Sequence, residues 1–266
     1  MEEYVLPILF FVILGVLVGV LLTVASKLLF VKGDETVEKI TSVLPGANCG
    51  GCGFSGCEGY ANAVAKGEVA ANLCKPGGAE VVTAIGEILG IETEVAEREY
   101  AYVRCNGTCD ACEDKFVYIG TKSCAAIEKF YNGKGKCSFG CHGMGDCAAV
   151  CERDAIKIQN GIAVIIPKLC MGCGKCVKAC PNKLITMVKE SQKFVVQCSS
   201  CDVGKVTKVS CKNGCLGCGI CVKKCPEGAI VINNNHAEII GEKCTGCGTC
   251  ANVCPVKCIS LLSECK

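Results

Sequence analysis

Tryptophan is absent from this chain of 266 residues, histidine occurs twice, and aromatic residues make up only 5%. Two histidines are too few for a set of mixed Cys/His zinc fingers, or for haem ligated through histidine. So few aromatics leave each domain a small conventional core. Nucleotide-binding motifs are missing too: no glycine-rich stretch matches a Rossmann or P-loop pattern in its strand-and-helix setting. Charge is missing over the 23 residues from Tyr4 to Ser26, where Leu, Val, Ile and Phe dominate.

Cysteine and glycine are abundant instead, with 29 and 32 residues. In a short secreted chain that much cysteine would suggest a disulfide scaffold. Here it comes in tight runs, and cysteines so close in sequence converge on one centre, whereas disulfides join distant segments. The glycines suit loops that wrap a metal centre, because they supply positive φ and close backbone approach. Cys170, Cys173, Cys176 and Cys180-Pro181 recur as Cys215, Cys218, Cys221 and Cys225-Pro226, and again as Cys244, Cys247, Cys250 and Cys254-Pro255. Cys137, Cys141, Cys147 and Cys151 read as a stretched fourth copy without the proline. Each copy leads into a short strand, at Ala155-Ile156, Leu184-Ile185, Ala229-Ile230 and Cys258-Ile259, where Cys258 reads as a packed small side chain.

The spacing C-x₂-C-x₂-C-x₃-C-P is the bacterial ferredoxin signature, in which three cysteines wrap one [4Fe–4S] cube and the fourth ligates the cube of the paired run. That rule predicts four sites. Cys180 joins Cys137, Cys141 and Cys147, while Cys151 joins Cys170, Cys173 and Cys176. Cys254 joins Cys215, Cys218 and Cys221, while Cys225 joins Cys244, Cys247 and Cys250. A zinc ribbon is the competing reading, but it uses two C-x₂-C knuckles and leaves the triple-cysteine repeat unexplained. Cys49, Cys52, Cys57 and Cys74 form a fifth, self-contained set, with glycines between the first three whose N–H groups can face cluster sulfur. A sixth cluster can be drawn from Cys105, Cys124, Cys198 and Cys211, or locally from Cys105, Cys109, Cys112 and Cys124. Plain buried thiols are the third reading for these cysteines, with Cys201 and Cys265 also left over. The expected cofactors are therefore [4Fe–4S] clusters, at least five or else six. No residue reads as catalytic, and His142 and His236 read as surface residues.

Residues 33–132 carry 8 basic and 15 acidic side chains, whereas residues 133–266 carry 18 and 9. Four thiolate-ligated cubes at about −2 each nearly cancel the basic excess, so no nucleic-acid partner is expected. The apolar N-terminal stretch is longer than a signal peptide and is preceded by acids. It reads as a single transmembrane helix, long enough for the roughly 30 Å hydrocarbon core. Lys27 and Lys32 beyond it place the rest on the cytoplasmic side of the cell (inner) membrane, where reducing conditions preserve thiolates and clusters. The expected fold class is α+β, with an anchor over residues 4–31 and a small helical [4Fe–4S] domain over 32–78. A helix, linker and Cys-rich connection cover 79–132. Two tandem ferredoxin-like modules follow over 133–197 and 198–266, the second including its connection.

Leu44-Pro45-Gly46-Ala47-Asn48-Cys49-Gly50-Gly51-Cys52-Gly53, then Cys57 and Cys74, then Lys136-Cys137-Ser138-Phe139-Gly140-Cys141-His142-Gly143-Met144-Gly145-Asp146-Cys147 precede the ferredoxin runs. With the apolar N-terminus, this order resembles the B subunit of the Rnf complex, the ion-translocating ferredoxin:NAD⁺ oxidoreductase, over essentially the whole chain. The resemblance implies an electron-relay subunit of an oxidoreductase and translocase, with no NAD site of its own. Its partners would be reduced soluble ferredoxin, the membrane, and the membrane and peripheral subunits that carry flavin, reduce NAD⁺ and move Na⁺ or H⁺. Many members of that family have one ferredoxin module where this chain has two. The residues alone leave open a polyferredoxin subunit of a membrane-bound hydrogenase or formate dehydrogenase, and a non-redox metal-binding scaffold.

Overall fold

The computed structural model describes residues 2–28, 35–95 and 97–262, with side chains in the first helix described from Leu9 to Val24. That helix, α1 (Glu2–Leu28), exposes apolar side chains on every side. The expectation of a membrane-spanning helix over residues 4–31 is corrected here. Among the described residues, no helix is long and apolar enough to cross a membrane. Residues 29–31 of that expected span lie outside the described residues.

Three helices follow, α2 (Glu35–Val43), α3 (Cys57–Ala65) and α4 (Gly78–Leu89). Ile40, Tyr60, Val64 and Ile85 lie on their inward faces and bury one another together with Cys74. Gly90 ends α4 in the left-handed conformation, φ 67°, that a residue with a side chain rarely adopts.

The first module contains β1 (Glu99–Val103), α5 (Cys124–Tyr131), α6 (Asp146–Ala149), β2 (Ile156–Gln159), β3 (Ile162–Ile165), α7 (Lys175–Ala179) and β4 (Ile185–Lys189). The second contains β5 (Phe194–Val196), α8 (Gly204–Ser210), α9 (Ile220–Lys224), β6 (Ile230–Asn233), β7 (His236–Ile239), α10 (Thr249–Val253) and β8 (Ile259–Leu261). Each module has one hairpin, β2–β3 or β6–β7, and one long-range antiparallel pair, β1–β4 or β5–β8. Val103 faces Ile185 in the first long-range pair, and Val196 faces Ile259 in the second. The strands after the four cysteine runs begin at Ile156, Ile185, Ile230 and Ile259, one residue into the expected dipeptides. β1 comes from the segment read as a connection, and β5 lies before residue 198 yet completes the second module.

Cysteine sulfur forms part of both cores. Cys147 and Cys176 pack with Val103, Ile156 and Leu184, and Cys215, Cys221 and Cys250 pack with Val196, Ile230 and Ile259. A core built on thiols couples folding to whatever the thiols bind. Tyr100, Tyr102, Val188, Val195 and Leu262 join the two long-range sheets across the module boundary.

Candidate metal centres

The N-terminal set is assembled by a tight loop and one buried phenol. Asn48 adopts φ 44°, and its Oδ1 accepts the N–H of Cys57 at 2.8 Å, closing the loop that carries Cys49 and Cys52. Tyr60 on α3 donates to the Ala70 carbonyl at 3.0 Å and accepts from Leu73 N–H at 3.2 Å, which holds Cys74 against the loop. Burial pushes the Tyr60 phenol up to about 12. Burial also raises the Cys74 thiol, and the neighbouring thiols of Cys57, Cys52 and Cys49 add to the rise. Cys49, Cys52 and Cys57 thus lie near enough to Cys74 to act on its thiol.

In the regular runs, the two glycines of Cys-x-Gly-Cys-Gly-x-Cys both adopt positive φ, 61° and 71° at Gly217 and Gly219. A Cβ on Gly217 would stand 2.6 Å from the Asn235 carbonyl oxygen, so that position admits little besides glycine. The second glycine starts a helix of five residues that ends at the fourth cysteine. Cys180, Cys225 and Cys254 are extended there, with ψ of 113°, 118° and 115°. The proline after each one excludes helical backbone at the cysteine. The helix thereby carries the fourth thiol away from its own run. Cys151 lines one recess with Cys170, Cys173 and Cys176, and Cys180 lines another with Cys141 and Cys147. In the second module, burial raises the Cys221 thiol, and nearby Cys215, Cys218 and Cys254 contribute. Burial pushes Cys250 up to about 11, with Cys244 among its neighbours. Backbone N–H groups point at sulfur at the matching place in two runs, Leu184 to Cys180 and Ala229 to Cys225, both 3.4 Å.

The stretched run is a regular run with one ligand replaced. Counted back from Cys151, Cys141-His142-Gly143-Met144-Gly145-Asp146-Cys147 aligns with Cys170-Met171-Gly172-Cys173-Gly174-Lys175-Cys176, glycine on glycine. Gly143 and Gly145 take the same positive φ as their counterparts, and α6 starts where α7 does. Met144 thus occupies the second cysteine's place. The fourth thiol in the recess of Cys141, Cys147 and Cys180 is Cys124. Asp146 delivers it: its carboxylate accepts Cys124 N–H at 2.8 Å, Ala125 N–H at 3.1 Å and the Ser123 hydroxyl at 3.0 Å, capping α5 from outside. Burial would raise the Asp146 pKa, but these donors together hold it below the usual carboxylate range. Burial pushes Cys147 up to about 12, with Cys141, Cys124 and Cys180 as neighbours. Spacing alone points to Cys137 for this place, and the glycine register is the signal that points past it.

Cys137 lines an adjoining recess with Cys105, Cys109, Cys112, Cys198 and Cys211, and Cys141 borders both recesses. Of the expected sixth set, Cys105, Cys198 and Cys211 are brought together there and Cys124 is not. Cys109 and Cys201 are exposed. Cys258 is buried with its sulfur 3.6 Å from that of Cys254, and Cys265 lies outside the described residues. Both histidines are buried, against expectation. His142 Nε2 lies 2.8 Å from the Glu128 carboxylate, and His236 Nε2 lies 2.6 Å from Arg104. Among the described residues, no three Cys, His, Asp or Glu side chains draw together tightly enough for one metal ion.

A model of an Fe-S cluster family matches residues 44–76, and models of 4Fe-4S dicluster domain families match residues 169–229 and 207–261. The first dicluster match spans two runs that are consecutive in sequence, although the recesses pair 170–180 with the run before it. Among curated proteins, the chain is 39% identical to the B subunit of the Na(+)-translocating ferredoxin:NAD(+) oxidoreductase complex of Acetobacterium woodii, over 93% of this chain and 75% of that protein. It is 41% identical to the B subunit of the ion-translocating oxidoreductase complex of Methanosarcina acetivorans, over 86% and 88%. It is 35% identical to the B subunit of the proton-translocating ferredoxin:NAD(+) oxidoreductase complex of Clostridium ljungdahlii, over 85% and 81%.

Proposed function

The chain belongs to the family of B subunits of the ion-translocating ferredoxin:NAD(+) oxidoreductase complexes, the Rnf complexes, and we propose that within such a complex it relays single electrons from reduced ferredoxin towards flavin- and NAD-reducing partner subunits. Five [4Fe–4S] clusters supply the one-electron chemistry when bound. Their ligand sets are Cys49, Cys52, Cys57 and Cys74; Cys124, Cys141, Cys147 and Cys180; Cys151, Cys170, Cys173 and Cys176; Cys215, Cys218, Cys221 and Cys254; and Cys225, Cys244, Cys247 and Cys250. The interleaving of the runs supports this reading: Cys151 shares a recess with Cys170, Cys173 and Cys176, and Cys180 shares one with Cys141 and Cys147, which would keep paired cubes close. The N-terminal site adjoins the first module, since a Cβ on Gly51 would stand 3.1 Å from the Cys173 carbonyl oxygen. Lys175 lies near both Cys173 and Cys49, and a cation there favours the reduced, more negative state. Backbone N–H groups on Cys180 and Cys225 act in the same direction. The relatives are named for ion-translocating complexes, so the chain works at a membrane, with its clusters on the reducing, cytoplasmic side.

An anaerobic titration tests this. Reduced ferredoxin, added to the purified chain, should bleach the broad visible absorption of the clusters. Bleaching by dithionite but not by ferredoxin would overturn the donor assignment, and bleaching by neither would overturn the relay.

A further inference from the structure

The two modules repeat each other beyond the ferredoxin runs. Cys105 lies two residues past β1 and Cys198 two residues past β5. Cys137 precedes Cys141 by four residues, as Cys211 precedes Cys215. These matching positions do not stay in separate modules, for all four line the single recess at the module boundary. Cys105, Cys198 and Cys211 are buried and Cys137 is half-buried. We propose that Cys105, Cys137, Cys198 and Cys211 hold a sixth [4Fe–4S] cluster that joins the two modules into one electron path. The proposal rests on the iron–sulfur reading above.

The geometry suits a cluster ligated from both sides. A Cβ on Gly107 would lie 3.5 Å from Cys105 Sγ and 3.6 Å from Cys211 Sγ, so these sulfurs from different modules are at most about 7 Å apart. Cys105 Sγ accepts N–H groups from Gly107 and Cys141, both at 3.4 Å, and Cys198 Sγ accepts from Ser200 at 3.5 Å. Such N–H···S contacts are the ones that the ligand cysteines of the runs receive. Arg104 lines the recess and bonds to His236 at 2.6 Å and Glu238 at 3.3 Å on β7, which clamps the modules together and sets a cation beside the site. The loop bearing Cys105 is also tied down, with Lys212 N–H donating to the Ala111 carbonyl at 2.9 Å and the Asn213 amide donating to that of Asn106 at 2.9 Å. Cys112 is a further thiol of the recess, hydrogen-bonded to that of Cys211, but it has no counterpart in the second module, whereas the four proposed ligands are matched pairs. The site adjoins Cys141 through Cys105 and Cys215 through the Cys211 loop. The order along the path is therefore the N-terminal site, the two sites of the first module, the junction, and the two sites of the second.

Iron and acid-labile sulfide are to be counted in the anaerobically assembled full chain, in Cys137→Ala, in Cys198→Ala and in Cys112→Ala. The parent should hold about 24 iron atoms. Cys137→Ala and Cys198→Ala, from opposite modules, should each lose about four irons and four sulfides, and Cys112→Ala should lose none. A parent count of about 20 that bleaches fully on reduction would overturn the junction cluster and leave the five-cluster relay standing. A loss from Cys112→Ala without one from Cys137→Ala would overturn the ligand assignment. Misfolding would remove more than one cluster's iron, and agreement between the two distant variants separates that from ligand loss.

Discussion

Alanine in place of Cys124 should cost the chain about four iron atoms, and cysteine in place of Met144 in the same variant should restore them. The recess of Cys141, Cys147 and Cys180 has three thiols from the ferredoxin pairing rule and one from the start of α5. Removing the fourth leaves three thiolates for four irons. Position 144 stands in register with Cys173, between two glycines of the same left-handed backbone, so a thiol there would face the recess from the ordinary direction. The double variant separates this site from the junction, because Met144→Cys should not rescue Cys137→Ala. Asp146→Ala should weaken the site less severely, since losing a helix cap costs about 1 kcal/mol. Unchanged iron in Cys124→Ala, or failure of the Met144→Cys rescue in a folded chain, would show that the site closes with another ligand.

Serine in place of Cys225 should damage the cluster of Cys244, Cys247 and Cys250 and spare that of Cys215, Cys218 and Cys221. Helix α9 runs from the third to the fourth cysteine of its run, and Pro226 forces Cys225 into an extended conformation that turns its thiol outward. A serine oxygen is a harder ligand than a thiolate, so the affected cluster should shift in potential or lose iron. Site-resolved EPR of the reduced variant would identify it. Loss of the near cluster with the far one untouched would mean that each run closes on itself.

Much of this is legible in the spacing. The short helices of the three regular runs and the strands that follow them depend on short stretches of chain, where geometry leaves few choices. Cys124 is not legible from its own surroundings, because Asp146 brings it to its site across 22 residues. The Gly143 and Gly145 register does mark where the missing ligand belongs. Cys137 stands as far before Cys141 as Cys211 does before Cys215, a repeat that its place in a stretched run conceals. β1 is hidden in a charged connection, since five residues whose partner strand lies far along the chain, as Met187 does from Ala101, leave no local signature. His142 and His236 look like surface residues in sequence because their partners, Glu128 and Arg104, come from other elements. The apolar stretch at the N-terminus suggests a membrane span, yet among the described residues no helix is long and apolar enough to cross a membrane.

The most direct test of the central claim is a combined count of iron, acid-labile sulfide and zinc in the anaerobically assembled chain, with its visible spectrum before and after dithionite. The account predicts equal iron and sulfide, at least about 20 of each per chain, negligible zinc, and a spectrum that bleaches on reduction. Stoichiometric zinc without sulfide, or iron near about 12 at full occupancy, would contradict it.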